Sequence, residues 1–110
     1  MTNKDYVNYI WHFKVEDNLD WEFCAGYMKM NEYADVSAEE LEYIFKKYFK
    51  DNMGIEPYSK CPKCGNELLP RESRYGYFIG CSNYPKCTFM ATNKKPYVAE
   101  TEDKVETKNK

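Results

Sequence analysis

The sequence predicts an α+β protein, a small helical N-terminal unit followed by a small antiparallel β ribbon. Three observations carry that prediction. The stretch SAEELEYIFKKYFKD, residues 37–51, repeats apolar residues at helical spacing behind a capping signal. Residues 61–87, CPKCGNELLPRESRYGYFIGCSNYPKC, hold four of the chain's 5 cysteines among short β-prone runs. The last stretch, NKKPYVAETEDKVETKNK, is polar, nearly free of large apolar residues and expected to be disordered. The predicted divisions are 1–56, 57–93 and 94–110, with a hinge near 51–58 where Asp51-Asn52-Met53-Gly54 and Pro57 interrupt the helical text.

A first helix is expected from about Lys4 to Phe13, with Tyr6, Tyr9, Ile10 and Phe13 on one face. In LDWEFCAGYMKMNEYADV, Asp20 can cap a second helix that turns Phe23, Tyr27 and Met30 inward, although Gly26 weakens it. The third helix, 38–50, is the clearest. Ser37 and Glu40 have capping-box spacing, and Leu41, Ile44, Phe45, Tyr48 and Phe49 form one apolar face. Lys46, Lys47 and Lys50 complement the dipole in its last turns. After the hinge, LLPRES, YGYFIGC and CTFMA read as short strands separated by Gly and Pro.

A chain of 110 residues has room for one compact domain or two very small ones in tandem. It holds neither the run of roughly 20 apolar residues that a membrane helix needs nor the apolar core of a signal peptide, so an intracellular, cytoplasmic protein is expected. Charge divides unevenly. Residues 1–56 hold 6 Lys and 12 acids, for −6, whereas residues 57–95 hold 7 Lys or Arg against Glu67 and Glu72, for +5. Residues 96–110 carry 3 Lys and 4 acids, so the net charge of −2 conceals a basic segment that coincides with the cysteines.

The cysteines follow C-x2-C, then 16 residues, then C-x5-C, the two-knuckle pattern of a four-cysteine zinc site. Two disulfides would suit neither an intracellular chain nor an odd cysteine count. A thioredoxin-like pair needs a βαβ setting and would leave Cys81 and Cys87 unexplained. A ribbon of about 35 residues cannot bury enough apolar surface to hold itself, and structural Zn2+ contributes on the order of 10 to 16 kcal/mol in small peptides. One structural Zn2+ on Cys61, Cys64, Cys81 and Cys87 is therefore expected, with no open position for catalysis.

The same residues resemble a known family. Cys61-Pro62-Lys63-Cys64-Gly65, the strand Arg74 to Gly80 and Cys81-Ser82-Asn83-Tyr84-Pro85-Lys86-Cys87 are similar to the C-terminal four-cysteine zinc ribbon of bacterial type IA DNA topoisomerases. The resemblance covers about residues 59–91. It implies a module for nucleic acid, chiefly single-stranded DNA, and does not extend to the cleavage core. The ribbon also occurs in other bacterial and mobile-element proteins.

Side-chain chemistry leads to the same expectation, because rings between cations bind bases by stacking and phosphates by charge. The candidate nucleic-acid residues are Lys63, Arg71, Arg74, Tyr75, Tyr77, Tyr84 and Lys86, with Tyr75, Tyr77 and Tyr84 exposed and Phe78, Ile79 and Phe89 in the ribbon's core. His12 is read as a partly buried helix residue and Cys24 as core. Twelve of the 19 aromatics fall in residues 1–55, more than a three-helix unit needs, so a surface for a protein partner is expected there. No nucleophile with a base and no phosphate loop can be assembled. The expected function is that of a non-enzymatic accessory or targeting factor, bacterial or phage-type, on single-stranded or distorted DNA. The alternative is an inhibitor whose acidic half binds a nucleic-acid enzyme, with the ribbon as scaffold.

Overall fold

The computed structural model describes residues 1–98, so the predicted disordered tail lies, from residue 99 onward, outside the described residues. The fold is α+β, three helices followed by a three-stranded antiparallel sheet. By contacts it divides into one unit, Met1–Lys50, and a second that begins at Asp51.

Helix α1, Asn3–Trp11, starts from a capping box that was not anticipated: the Thr2 hydroxyl accepts from the Asp5 N–H, and the Asp5 carboxylate accepts from the Thr2 N–H. Val7, Ile10 and Trp11 are its buried residues; of the expected face Ile10 is buried, whereas Tyr6 and Phe13 are half-buried and Tyr9 is exposed. The chain then widens into a π-helical turn, His12–Glu16, closed by the Asp17 N–H donating to the His12 carbonyl at 3.0 Å.

Helix α2, Trp21–Met30, is capped by Asp20, whose carboxylate accepts from the Phe23 N–H at 2.8 Å. Its inward face corrects the expectation. Cys24, Ala25 and Met28 are buried, while Phe23 and Met30 are exposed. The small residues Cys24 and Ala25 turn inward, and the Phe23 ring is left at the surface.

Helix α3, Ala38–Met53, has the predicted box: the Ser37 N–H donates to Glu40 Oε1 at 3.0 Å and the Glu40 N–H to Ser37 Oγ at 3.1 Å. It runs past residue 50 to Met53, because no breaker precedes Gly54, which takes φ 83°. Leu41, Phe45 and Phe49 are fully buried, and Trp11 and Trp21 pack on Phe45 with ring centroids 6.4 Å and 5.4 Å away.

In the second unit, β1 (Leu68–Ser73), β2 (Gly76–Cys81) and β3 (Met90–Ala91) pair in chain order. The β1–β2 register sets Leu68 opposite Cys81, Pro70 opposite Ile79 and Arg71 opposite Phe78. Pro70 is tolerated because β1 is an edge strand. Alternation buries Leu68, Pro70, Ile79 and Ala91 on one face. Arg71, Phe78 and Gly80 fall on the other. The unit closes at its ends: the Tyr97 N–H donates to the Met53 carbonyl at 2.7 Å, and the Tyr97 ring packs edge-on against Phe89.

Candidate metal centre and nucleic-acid interface

The first knuckle is built by backbone bonds that bend the chain around two sulfurs. Gly65, at φ 84°, donates to the Cys61 carbonyl at 2.9 Å, and the Cys61 N–H reaches the Asn66 carbonyl at 2.6 Å. Only glycine takes that φ without strain. In the second knuckle the Tyr84–Pro85 peptide is cis, the Tyr84 N–H donates to the Cys81 carbonyl and the Cys87 N–H to the Asn83 carbonyl. A bond from the Ser82 N–H to the Glu67 carbonyl, 2.9 Å, ties the two knuckles together.

The four Sγ atoms of Cys61, Cys64, Cys81 and Cys87 lie within 4.8 Å of one another. Cys61 and Cys87 are 3.7 Å apart and Cys64 and Cys81 3.3 Å. A tetrahedral ZnS4 centre with 2.3 Å bonds needs sulfur separations of about 3.8 Å, so the set fits one structural Zn2+. The sulfurs are also surrounded by the donors that thiolates want. The Lys63 N–H points at Cys61 Sγ at 3.4 Å, the Asn83 N–H at Cys81 Sγ at 3.3 Å and the Asn66 amide at Cys64 Sγ at 3.3 Å. Those Asn66 donors hold the Cys64 thiol down at about 6, while burial pushes Cys81 up to about 12. A bound cation would supply the charge that keeps all four ionised. Cys64 is the exposed ligand; the other three are buried.

On the outer face of the sheet, Arg71 lies across Gly80, and Phe78 stands beside them. Arg71, Phe78, Gly80, Tyr84, Phe89 and Met90 line a depression of about 350 Å³. A second, of about 490 Å³, adjoins it across Phe78 and Met90 and reaches Tyr75, Tyr77 and Lys94. Tyr75, 86% exposed, occupies the hairpin turn with the Arg74 guanidinium 5.8 Å from its ring centre, and Tyr84 is 70% exposed. Ser73 Oγ holds that turn by accepting from the Tyr75 N–H and donating to the Gly76 carbonyl.

Three expectations about rings need correction. Tyr77 is half-buried and not exposed; Phe78 and Phe89 are half-buried and line the depressions, where the ribbon core was expected to hold them. Ile79 is fully buried. Lys63 and Lys86 are exposed on the knuckles and line neither depression. Strand alternation sets Phe78 on the opposite face from Ile79, and that is the signal for its role that the sequence offers. Met90 and Lys94 give no such signal.

Comparison with known proteins decides the class of this segment. Residues 58–96 match the topoisomerase DNA binding C4 zinc finger family. The segment is a topoisomerase-type zinc ribbon. DNA topoisomerase 1 of Archaeoglobus fulgidus is 41% identical over 86 residues, 69% of this chain and 13% of the relative. DNA topoisomerase 1 of Helicobacter pylori strain 26695 is 63% identical over 30 residues, 27% of this chain and 4% of the relative. The Escherichia coli protein YrdD, described as uncharacterized, is 53% identical over 30 residues, 27% of this chain and 17% of that protein. The matched length is thus a small fraction of the topoisomerases. No solved structure matches.

Outside the ribbon, His12 is exposed and not partly buried: Nδ1 pairs with Glu16 at 2.7 Å and Nε2 with Asp17 at 3.3 Å. The Glu16 hydrogen bond, then the Asp17 charge, raise its imidazole above 6.5. Cys24 is fully buried in the helical unit. No described helix is long and apolar enough to cross a membrane.

Proposed function

We propose that this chain is a small cytoplasmic accessory factor that binds single-stranded or distorted DNA through its zinc ribbon and is addressed to a protein partner by its acidic helical unit, without itself catalysing a reaction. The observation that carries the reading is the outer sheet face. There Arg71 is laid beside Phe78 over a glycine floor, with Tyr84 at the rim and the Arg74–Tyr75 turn at the far end. Cations contact phosphates, and rings of this kind stack bases at about 1 to 3 kcal/mol each with little sequence preference. Two adjoining depressions suit successive unpaired bases better than a stacked duplex. A Zn2+ on Cys61, Cys64, Cys81 and Cys87 would hold the knuckles, and so β1 against β2; Lys63, Arg71, Arg74, Tyr75, Tyr77, Tyr84 and Lys86 are the proposed contact set.

Fluorescence anisotropy with labelled single-stranded and duplex DNA at two salt concentrations tests this. Preference for the single strand is expected, with a log–log salt slope of roughly −2 to −3.5 for about three to five phosphate contacts. Absent or salt-insensitive binding by zinc-loaded protein would remove the reading.

A further inference from the structure

The helical unit carries a continuous aromatic strip on its surface. Tyr9 and Tyr33 stack at 4.3 Å with planes 21° apart, and Tyr27 lies 5.9 Å from Tyr33 and 4.6 Å from Phe13. Phe23 extends the row, 5.6 Å from Phe13. Behind the strip, Val7, Ile10, Trp11, Cys24, Ala25 and Met28 already make the buried core. Tyr9, Phe23 and Tyr33 remain 38%, 49% and 39% exposed. Aromatic surface left in water next to a completed core marks an interaction site.

The surroundings of the strip are acidic. Asp20 caps the helix at Phe23, and the His12 ring, edge-on to Phe13 at 5.4 Å, is held by Glu16 and Asp17. Residues 1–36 contain 7 acids and 3 lysines, and one of these, Lys14, is turned to the Leu19 carbonyl and the Trp21 ring.

We propose that this strip docks an arginine- and lysine-rich segment of another protein. Guanidinium and ammonium groups lie favourably over aromatic faces and pair with the carboxylates at the rim, so one cationic segment satisfies both features. A second copy of the chain would instead bring the same acidic rim against itself in a two-fold interface, which like charges disfavour. The proposal rests on the reading that the helical unit addresses the ribbon to a protein, and names the chemistry of that protein.

The test uses the zinc-loaded full chain and a short labelled peptide in which arginine alternates with leucine, with a counterpart carrying glutamate for arginine. Binding of the arginine peptide should move the ring resonances of Tyr9, Phe23 and Tyr33, and the glutamate peptide should leave them in place. Tyr9→Ala with Phe23→Ala should weaken binding by at least about tenfold. Glu16→Lys with Asp17→Lys, which leaves the rings intact, should weaken it as well and covers the case in which the first variant misfolds. Undiminished peptide affinity in a folded variant, shifts confined to other residues, or no binding would overturn the proposal; so would a dimer in sedimentation that Phe23→Glu dissolves. Single-stranded DNA anisotropy on the same samples separates the two readings, since the charge-neutral Tyr9→Ala with Phe23→Ala variant should keep wild-type DNA affinity.

Discussion

The Arg71 side chain rests on Gly80: a Cβ placed there would sit 3.2 Å from Arg71 Nε and 3.3 Å from its Cδ. The cation's position across the sheet therefore depends on an absent side chain one strand away. Because the crowded atoms are the far end of a flexible side chain, Gly80→Ala should shift Arg71 without unfolding the ribbon. Affinity for single-stranded DNA should fall by about threefold to tenfold, up to about 1.4 kcal/mol. In an Arg71→Ala background the same change should have little further effect, and full additivity in this double-mutant cycle would break the link between the two residues.

Loss of one sulfur should abolish the ribbon. Cys81 is buried and is hydrogen bonded by the Asn83 amide, so Cys81→Ser leaves the metal a three-sulfur site in a segment too small to hold itself. Metal analysis should give one zinc per chain for the wild type and none for the variant after mild chelation. Amide signals of β1 and β2 should collapse together in the variant; a well-dispersed, zinc-free ribbon would show that packing alone suffices.

Gly54→Ala should be costly. Gly54 sits at φ 83°, and an added Cβ would run into the Tyr97 carbonyl oxygen. Strain and collision together should cost at least about 1 to 2 kcal/mol. The readouts are urea denaturation and faster exchange of the Tyr97 amide, which now donates to Met53.

Alkaline pH should weaken the helical unit through Cys24. Burial pushes its thiol up to about 11 from an ordinary 9.0. A raised thiol costs nothing below pH 9; from 9 to 11 the unfolded chain ionises while the folded one does not, so stability falls as pH rises. The full window corresponds to about 3 kcal/mol. Cys24→Ala should start less stable but show a shallower decline, and identical slopes would exclude the assignment. At neutral pH Cys24 should resist alkylation until the protein unfolds.

What could be read from sequence was what neighbouring residues settle among themselves. Ser37 and Glu40 close their box within one turn, and CPKCG fixes its own bend through Pro62 and Gly65. The Thr2–Asp5 box has the same spacing but an Asp where Glu or Gln is the usual signal, and it was missed. The inward faces of the first two helices depend on which surface the third helix meets. Rings outnumber the positions a core can hold, so periodicity alone could not choose Cys24 and Ala25 over Phe23. Likewise the π-helical turn, which brings Glu16 and Asp17 to His12, is a local rearrangement that no residue type announces. In the ribbon, the cysteine spacing indicated the ligands, while Met90 reaches the outer face only through the pairing of β3 with β2, which sets it opposite Gly80.

The bond between Tyr97 and Met53 brings the incoming and outgoing chain of the second unit to a common point. A module with adjoining ends is topologically portable: it can be appended, repeated in series or placed between unrelated segments without stretching either flank. Its presence as a small fraction of the topoisomerases that it matches is what such portability permits.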